Sequence, residues 1–365
     1  MPNRLRTALL SVVHTVGWAG CFALSVVLTP HARAEQPPKD QVGHSAFAAM
    51  VHQIKTLAGT DDRLTIQRIA PPNAFEAFAP PGWSWVQGVA VYGSSIGQGD
   101  FSGVEARVRA DNALDVLVIS DSGYWLAGHW DPRAPDQEEP LVLSKPLRLE
   151  TRPGARPDES QDNPEALALD RDGTILVGFE GDHRIQRHRN AVDRPSVLAV
   201  PTALRSAFRN RGIETLVVLP DGRYLALSEG VDRQGGLRGW VFHADDPDWP
   251  TLVYPKEMED GFAWRPTAAA VLDDRLLVVE RWWDGAFGIR TRLMQLALTS
   301  IEPGAQLMPI LLFETTPLAG AFGNVEGLTT LKDRDQWLVV LVTDNQEIAL
   351  LPSVFLALAY QADAE

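Results

Sequence analysis

The clearest structural signal in the chain lies in residues 165–180, which read EALALDRDGTILVGFE. Two short apolar runs flank Asp172-Gly173, and this dipeptide is a strong signal for the two-residue turn of a β-hairpin. Residues that face each other in an antiparallel hairpin lie at equal distances from its turn. Because the midpoint of Glu165 and Glu180 falls between Asp172 and Gly173, we predict that these acids meet at the open end of the hairpin.

The same plan recurs along the chain. Each repeat has an acid, a short apolar strand, a polar turn, a second apolar strand and another acid, and the repeats span 105–121, 165–180, 214–229, 267–280 and 326–344. Only Thr267 departs from the acid rule. The repeats start 49 to 60 residues apart, somewhat more than the roughly 40–50 residues of a four-stranded propeller blade. We therefore predict an all-β protein built as a β-propeller.

Strand-like runs also occur at both ends of the repeat region, at 64–69 and 85–91 before it and at 354–360 after it. Pairing these runs with each other would close a sixth blade and remove exposed sheet edges. The sequence therefore predicts six blades, with five or seven as alternatives.

The N-terminus has the features of a signal peptide. Arg4 and Arg6 precede an apolar run over 8–28, and Ala32-Arg33-Ala34 fits a small-x-small cleavage site. An uncleaved membrane anchor and a lipoprotein site at Cys21 are the alternatives. Cleavage implies a periplasmic or secreted protein with no stable membrane insertion.

The expected organisation is a signal peptide over 1–34, a leader over 35–63 with a possible short helix at 45–57, and a single propeller domain over 64–365. Acidic residues outnumber basic ones by 47 to 33, which argues against a nucleic-acid partner. Cys21 is the only cysteine, so the mature chain has no thiol for catalysis or zinc binding. We expect a monomer that acts on a small molecule.

The acids of the repeats suggest a cation site. Like charges that face each other on paired strands destabilise the pair by roughly 0.2–1 kcal/mol at exposed sites, and crowding raises carboxyl pKa values. A bound cation would offset both effects. The alternative is that each acid accepts hydrogen bonds from turn and loop amides.

The chain resembles the phytase-like family that is described as having esterase-like activity. The resemblance covers roughly residues 85–360 and rests on an ordered series of motifs at 101–105, 120–123, 163–167, 210–214, 277–281, 324–328 and 343–345. It implies a secreted propeller with an acidic site and a calcium-dependent phosphoesterase activity. It does not establish phytate as the substrate.

The resemblance implies a set of calcium ligands in this chain, namely Glu105, Asp121, Glu165, Glu180, Glu214, Glu229, Glu280, Glu326 and Asp344. Calcium binds six to eight oxygen ligands in irregular geometry, which suits a ring of carboxylates. Glu165 and Glu214 are the candidates for the catalytic base. Arg211 and Arg281 are the candidates for binding the phosphate, with Arg265 behind them.

Two classes of function remain open from the sequence. One is a metal-dependent hydrolase of phosphoesters, with a lactonase or other esterase of the same architecture as its near relative. The other is a non-catalytic propeller that binds calcium for stability and a ligand or partner for function. A serine nucleophile at Ser95 is disfavoured, because no helix pattern follows it. Trp282-Trp283-Asp284-Gly285 is a candidate lining of a pocket mouth.

Overall fold

The structure is a computed structural model, and it describes residues 39–72, 75, 79–93, 100–150, 162–198, 200–205, 212–231, 235–246, 248–284, 288–315, 323–345 and 351–362. The predicted signal peptide over 1–34 and the candidate Arg211 lie outside the described residues. In the described part of the chain, no helix is both long enough and apolar enough to cross a membrane.

The described strands form five antiparallel blades. Helix α1 (Lys39–Ala58) and strands β1 (Thr65–Ile69) and β2 (Trp83–Tyr92) come first. Blade 1 has β3 (Phe101–Val108), β4 (Leu114–Ser120), β5 (Tyr124–Trp130), β6 (Leu141–Leu143) and β7 (Leu147–Arg148). Blade 2 has β8 (Asp162–Leu169), β9 (Ile175–Gly181), β10 (Arg184–His188) and β11 (Ser196–Leu198), and the short helix α2 (Thr202–Arg205) follows it.

Blade 3 has β12 (Ile213–Val218), β13 (Tyr224–Val231), β14 (Leu237–Phe242) and β15 (Thr251–Tyr254). A separate hairpin of β16 (Met258–Glu259) and β17 (Phe262–Ala263) follows blade 3. Blade 4 has β18 (Arg265–Leu272), β19 (Arg275–Trp283), β20 (Ile289–Ala297), a 3₁₀ turn (Leu298–Ser300) and β21 (Ile310–Glu314). Blade 5 contains β22 (Asn324–Asp333), β23 (Gln336–Asp344) and β24 (Ser353–Tyr360).

The prediction of a sixth blade is wrong, and the terminal strands explain why. The fifth repeat supplies only the β22–β23 hairpin, and β24, β2 and β1 add to it in the order β1-β2-β24-β23-β22. In this sheet Gly88 of β2 faces Leu356 of β24, and Ile66 of β1 faces Val91 of β2. The strands from the two ends of the chain therefore complete blade 5, which would otherwise have an exposed edge at β23.

The innermost strands of the blades form a closed ring. Each of β3, β8, β12, β18 and β22 contacts the innermost strand of the blade on either side of it. These strands crowd around the axis: a Cβ on Gly103 would lie 2.7 Å from Cβ of Leu167, and a Cβ on Gly327 would lie 3.0 Å from the Val104 amide nitrogen. Small residues are therefore required where the inner strands approach each other.

Helix α1 is part of the same body as the propeller and is longer than the 45–57 segment that the sequence suggested. Phe47, Met50, Val51 and Ile54 have the spacing of one helical face. All four are buried in a core cluster that they share with Trp125 and residues of blades 1 and 2. The leader before residue 64 therefore contributes a helix that packs on the propeller.

We expect Phe47→Ala to destabilise the protein by about 3–5 kcal/mol, because it removes a fully buried aromatic ring and leaves a cavity. The matched control is Leu57→Ala on the same helix, where the side chain is 55% exposed. Its effect should stay within about 0.5 kcal/mol. Urea unfolding measures both changes, and equal effects would show that the helix does not contribute to the folded core.

Candidate functional site

Every innermost strand carries one β-bulge near the same end of the propeller axis. A bulge sets two residues against one on the partner strand and so redirects a side chain from the regular alternation. The bulged residues are Ser102, Glu165, Glu214, Thr267 and Glu326. Glu180 consequently faces Asn163 rather than Glu165. The direct pairing predicted for Glu165 and Glu180 is wrong, although both acids lie at the open end of their hairpin.

The second strand of each blade presents another side chain just past the bulge. These residues are Asp121, Glu180, Glu229, Arg281 and Asp344. Together with the bulged residues they place ten side chains, two from each blade, around the axis. Seven of the ten are carboxylates.

All of these side chains except that of Thr267 line a cavity of about 710 Å³, which we call the axial pocket. Its acidic residues are Asp100, Asp121, Glu165, Glu180, Glu214, Glu229, Glu326 and Asp344, and its basic residues are Lys256, Arg265 and Arg281. Seven of the nine acids predicted from the repeats therefore lie together. Asp100, Ser102 and Lys256 were not predicted.

Glu105 is not part of the axial pocket. The bulge of blade 1 falls at Ser102, so Glu105 lies three residues further along β3 and lines a separate cavity of about 160 Å³. Its carboxylate accepts hydrogen bonds from the Leu169 amide at 3.0 Å and from Oγ1 of Thr329 at 3.0 Å. For Glu105 the structure thus agrees with the alternative that an acid binds a nearby amide.

Glu280 is also separate from the axial pocket, because it lies one residue before the position that the other blades use. Side chains alternate between the two faces of a strand, so Glu280 and Arg281 point in opposite directions. Glu280 is 1% exposed and forms an ion pair with Arg292. Arg281 therefore occupies the place in blade 4 that holds an acid in the other four blades.

Ser102 and Thr267 connect neighbouring blades. Oγ of Ser102 donates a hydrogen bond to the Pro164 carbonyl at 2.6 Å, and Oγ1 of Thr267 donates one to the Val325 carbonyl at 2.7 Å. Pro164 and Val325 each precede the bulge of the next blade. Thr267 interrupts the acid pattern, and its hydroxyl has the same structural role as that of Ser102.

The carboxyl groups of the axial pocket are buried and repel one another. Burial raises the pKa of Glu165 well above its usual range, and the Glu180 carboxylate raises it further. Burial has the same effect on the pKa of Glu214, whose carboxyl also shares a hydrogen bond with Glu180. Burial raises the pKa of Glu326 to about 7, although Arg281 opposes this shift. All three carboxyl groups are therefore harder to ionise than an exposed glutamate.

Two arginines neutralise one side of the pocket. Arg281 forms an ion pair with Glu326 and lies 3.7 Å from Glu229, and Arg265 pairs with Glu229 as well. Burial alone would lower the pKa of Arg281, but Glu326 and Glu229 outweigh it and raise the pKa. Among the described residues, Glu165, Glu180 and Glu214 form no ion pair with an arginine, so negative charge is least balanced there.

One wall of the axial pocket is apolar. Met258 and Phe262 come from the β16–β17 hairpin and Trp283 from the end of β19. The hairpin was missed from the sequence, although Asp260-Gly261 is the same turn signal as Asp172-Gly173. Both Asp260 and Gly261 have positive φ, as a tight hairpin turn requires.

The tryptophan pair next to Arg281 divides between two roles. Trp283 lines the pocket mouth, as the sequence suggested. Trp282 is only 7% exposed and packs edge-on against Phe262, with ring centroids 5.7 Å apart. The alternation along β19 accounts for this difference, because Arg281 and Trp283 share one face of the strand.

The sequence profile of the phytase-like family, described as "Esterase-like activity of phytase", matches residues 96–347. This match covers more than half of the chain, and the protein therefore belongs to the phytase-like family. It also covers every residue of the axial pocket. No curated protein matches the chain.

Solved structures of similar architecture are distant in sequence. A protein of unknown function from Dyadobacter fermentans DSM 18053 is 10% identical, with a TM-score of 0.44, over 77% of this chain and 100% of its own. An alpha-L-arabinofuranosidase from Lactobacillus brevis is 11% identical, with a TM-score of 0.47, over 77% and 93%. A glucose dehydrogenase is 15% identical, with a TM-score of 0.37, over 82% and 99%.

We expect the stability of the cation-free protein to fall as the pH rises from 4.5 to above 7. The pKa of Glu326 is raised from 4.5 to about 7 in the folded state, so its contribution is fully present below the unfolded pKa and is lost as the pH passes the folded pKa. Glu326→Gln should remove about 3 kcal/mol of this loss. Urea unfolding across this pH range is the measurement, and an identical pH dependence in both proteins would contradict the assignment.

Arg281→Met should destabilise the protein by about 3–5 kcal/mol, because Glu229 and Glu326 would lose a partner inside the pocket. Arg275→Met is the control. Arg275 pairs with Asp274, whose side chain is 78% exposed, so its loss should matter by less than about 1 kcal/mol. Thermal unfolding of both variants at neutral pH tests the difference, and a harmless Arg281→Met would mean that the acids do not depend on this guanidinium.

Proposed function

We propose that the protein is a hydrolase that cleaves an ester bond, specifically a phosphoester, in the axial pocket. The observation that carries this proposal is the gathering of eight carboxylates and three basic side chains in one cavity of about 710 Å³. Membership of a family described by esterase-like activity supports the reaction class. The propeller fold does not by itself select a chemistry.

Glu214 is suited to proton transfer. Glu214 has a pKa well above its usual range, because it is buried and close to other carboxylates, and it shares a hydrogen bond with Glu180. General acid–base catalysis is most effective when the catalytic pKa lies near the working pH. We propose that Glu214 takes the proton of an attacking water. Glu165 is the second candidate base, and its carboxyl adds to the negative charge around Glu214.

The same side of the pocket fits a hard cation such as calcium. Its donors are the carboxyl oxygens of Glu165, Glu180 and Glu214, which pair with no arginine in the described part of the chain. Among the described residues, no three His, Cys, Asp or Glu side chains already converge in the geometry of a metal site. We propose Glu165 and Glu180 as the ligands, with Asp121 beside them, which leaves the Glu214 carboxylate available as the base. When bound, calcium would supply a Lewis acid that attracts phosphoryl oxygens and activates water.

Arg281 and Arg265 are the proposed contacts for the anionic part of the substrate. Both line the axial pocket, and both are held by ion pairs to Glu229. Guanidinium groups bind phosphate oxygens through directed N–H donors. A substrate phosphate would compete with Glu229 and Glu326 for these two guanidinium groups. We therefore expect a substrate with one phosphoryl group rather than a highly phosphorylated one.

A non-catalytic calcium-binding propeller is the second candidate. Arg281 and Arg265 already neutralise Glu229 and Glu326, which is the arrangement expected where charges serve stability. A lactonase or other esterase of the same architecture would use the same proton-transfer pair. Export to the periplasm or the medium and a monomeric state stay predictions from the sequence.

Calcium at millimolar concentration should raise the melting temperature, because a ligand that binds only the folded state stabilises it. Glu165→Gln should abolish this rise, and Glu214→Gln should also lower the turnover of a phosphoester by at least about 100-fold. Glu139→Gln, at an exposed position remote from the pocket, is the control for both measurements. Calcium stabilisation without any turnover would favour the binding propeller, and no calcium effect in the wild type would exclude the metal-dependent mechanism.

A further inference from the structure

The apolar wall of the axial pocket, formed by Met258, Phe262 and Trp283, leaves much of each side chain exposed to a ligand. Met258 is 52% exposed, Phe262 41% and Trp283 52%. All three line the cavity that holds the acids and the arginines. Exposed apolar groups that adjoin each other and are rimmed by polar residues mark binding sites in soluble proteins. An apolar wall with a few convergent polar groups is also the usual composition of a small-molecule site.

The hairpin that presents this wall is fixed from behind. Nε1 of Trp282 donates to the Glu259 carbonyl at 3.0 Å, and Nε1 of Trp264 donates to the Glu259 carboxylate at 3.0 Å. Arg290 pairs with the same carboxylate at 2.7 Å and lies over the Trp282 ring at 4.3 Å. Because these contacts anchor β16 and β17 to blade 4, the wall is preorganised and loses little entropy when a ligand binds.

The wall adjoins the charged groups of the pocket along a single strand. Arg281 and Trp283 are two residues apart on β19 and face the same way. A ligand whose anionic group contacts Arg281 therefore has Trp283 next to its remainder, and Phe262 lines the same cavity. Aromatic side chains bind other rings through stacked or edge-on contacts, and the flexible thioether of Met258 adapts to the shape of a neighbouring ring.

We propose that Met258, Phe262 and Trp283 bind the organic group of the substrate and select an aryl ester, so that the substrate is a monoanionic or dianionic ester of an aromatic alcohol. This inference rests on the proposed hydrolase function for its reaction but on the wall alone for its selectivity. A polyphosphorylated polyol lacks an apolar surface for this wall, and it would bring additional anions close to Glu214 and Glu165.

Binding of two non-hydrolysable probes, phenylphosphonate and methylphosphonate, tests the proposal by calorimetry in the presence of calcium. We expect phenylphosphonate to bind at least about tenfold more tightly, which corresponds to about 1.4 kcal/mol, because its ring loses contact with water and gains contact with aromatic side chains of the pocket. Trp283→Ala and Phe262→Ala should each remove most of this preference and leave the affinity for methylphosphonate unchanged. Met308→Ala, an apolar position that is 83% exposed and lies outside the pocket, is the control and should keep the preference.

The outcomes separate this inference from the proposed function. Equal affinity for the two probes, no binding of either, or loss of both affinities in Trp283→Ala would overturn the selectivity of the wall. Hydrolysis of phenyl phosphate is then measured in parallel. A retained preference for the phenyl probe without hydrolysis would support the selectivity of the wall and contradict the hydrolase function. Hydrolysis of glycerol phosphate at the same rate as phenyl phosphate would support the hydrolase function and contradict the selectivity of the wall.

Discussion

The bulge at the pocket end of each innermost strand is the constraint on which the site depends. Inner strands pack so closely around the axis that a Cβ on Gly103 or Gly327 would press on the neighbouring blade. Regular pairing would leave alternate side chains on either face of the blades. The extra residue in each strand instead turns one side chain per blade out of this alternation, and three of these side chains, Glu165, Glu214 and Glu326, are carboxylates that line the pocket.

Gathering acids in a buried pocket has an electrostatic cost that the fold meets in two different ways. On one side, Arg281 and Arg265 pair with Glu229 and Glu326. On the other side, Glu165 and Glu214 keep raised pKa values, because burial and neighbouring carboxylates disfavour their charged forms. The first arrangement stabilises the fold. The second arrangement leaves carboxyl groups that can exchange protons or bind a cation.

Replacement of one acid by arginine in blade 4 gives the pocket a polarity. The guanidinium of Arg281 shares its strand face with Trp283, and the β16–β17 hairpin follows blade 3 directly along the chain. Basic and apolar groups thus lie together at one part of the pocket, and Glu165, Glu180 and Glu214 lie at another. A ligand with an anionic end and a ring would meet both kinds of surface in one orientation.

The sequence by itself determined the repeat, the hairpins and the end of the propeller at which the acids gather, because turn dipeptides such as Asp172-Gly173 and the period-2 alternation are local properties of the chain. It could not place the acids to within one residue. In blade 1, β3 and β4 pair about position 111, two residues before the midpoint of Glu105 and Asp121, so Glu105 faces Leu117 instead. In blade 4 the bulge at Thr267 shifts the pairing by one residue, and Arg281 rather than Glu280 reaches the pocket. The number of blades also depends on the tertiary structure. Strands from the two chain ends do pair with each other, as β2 does with β24, but β24 also pairs with β23, so these strands extend the last hairpin instead of forming a sixth blade.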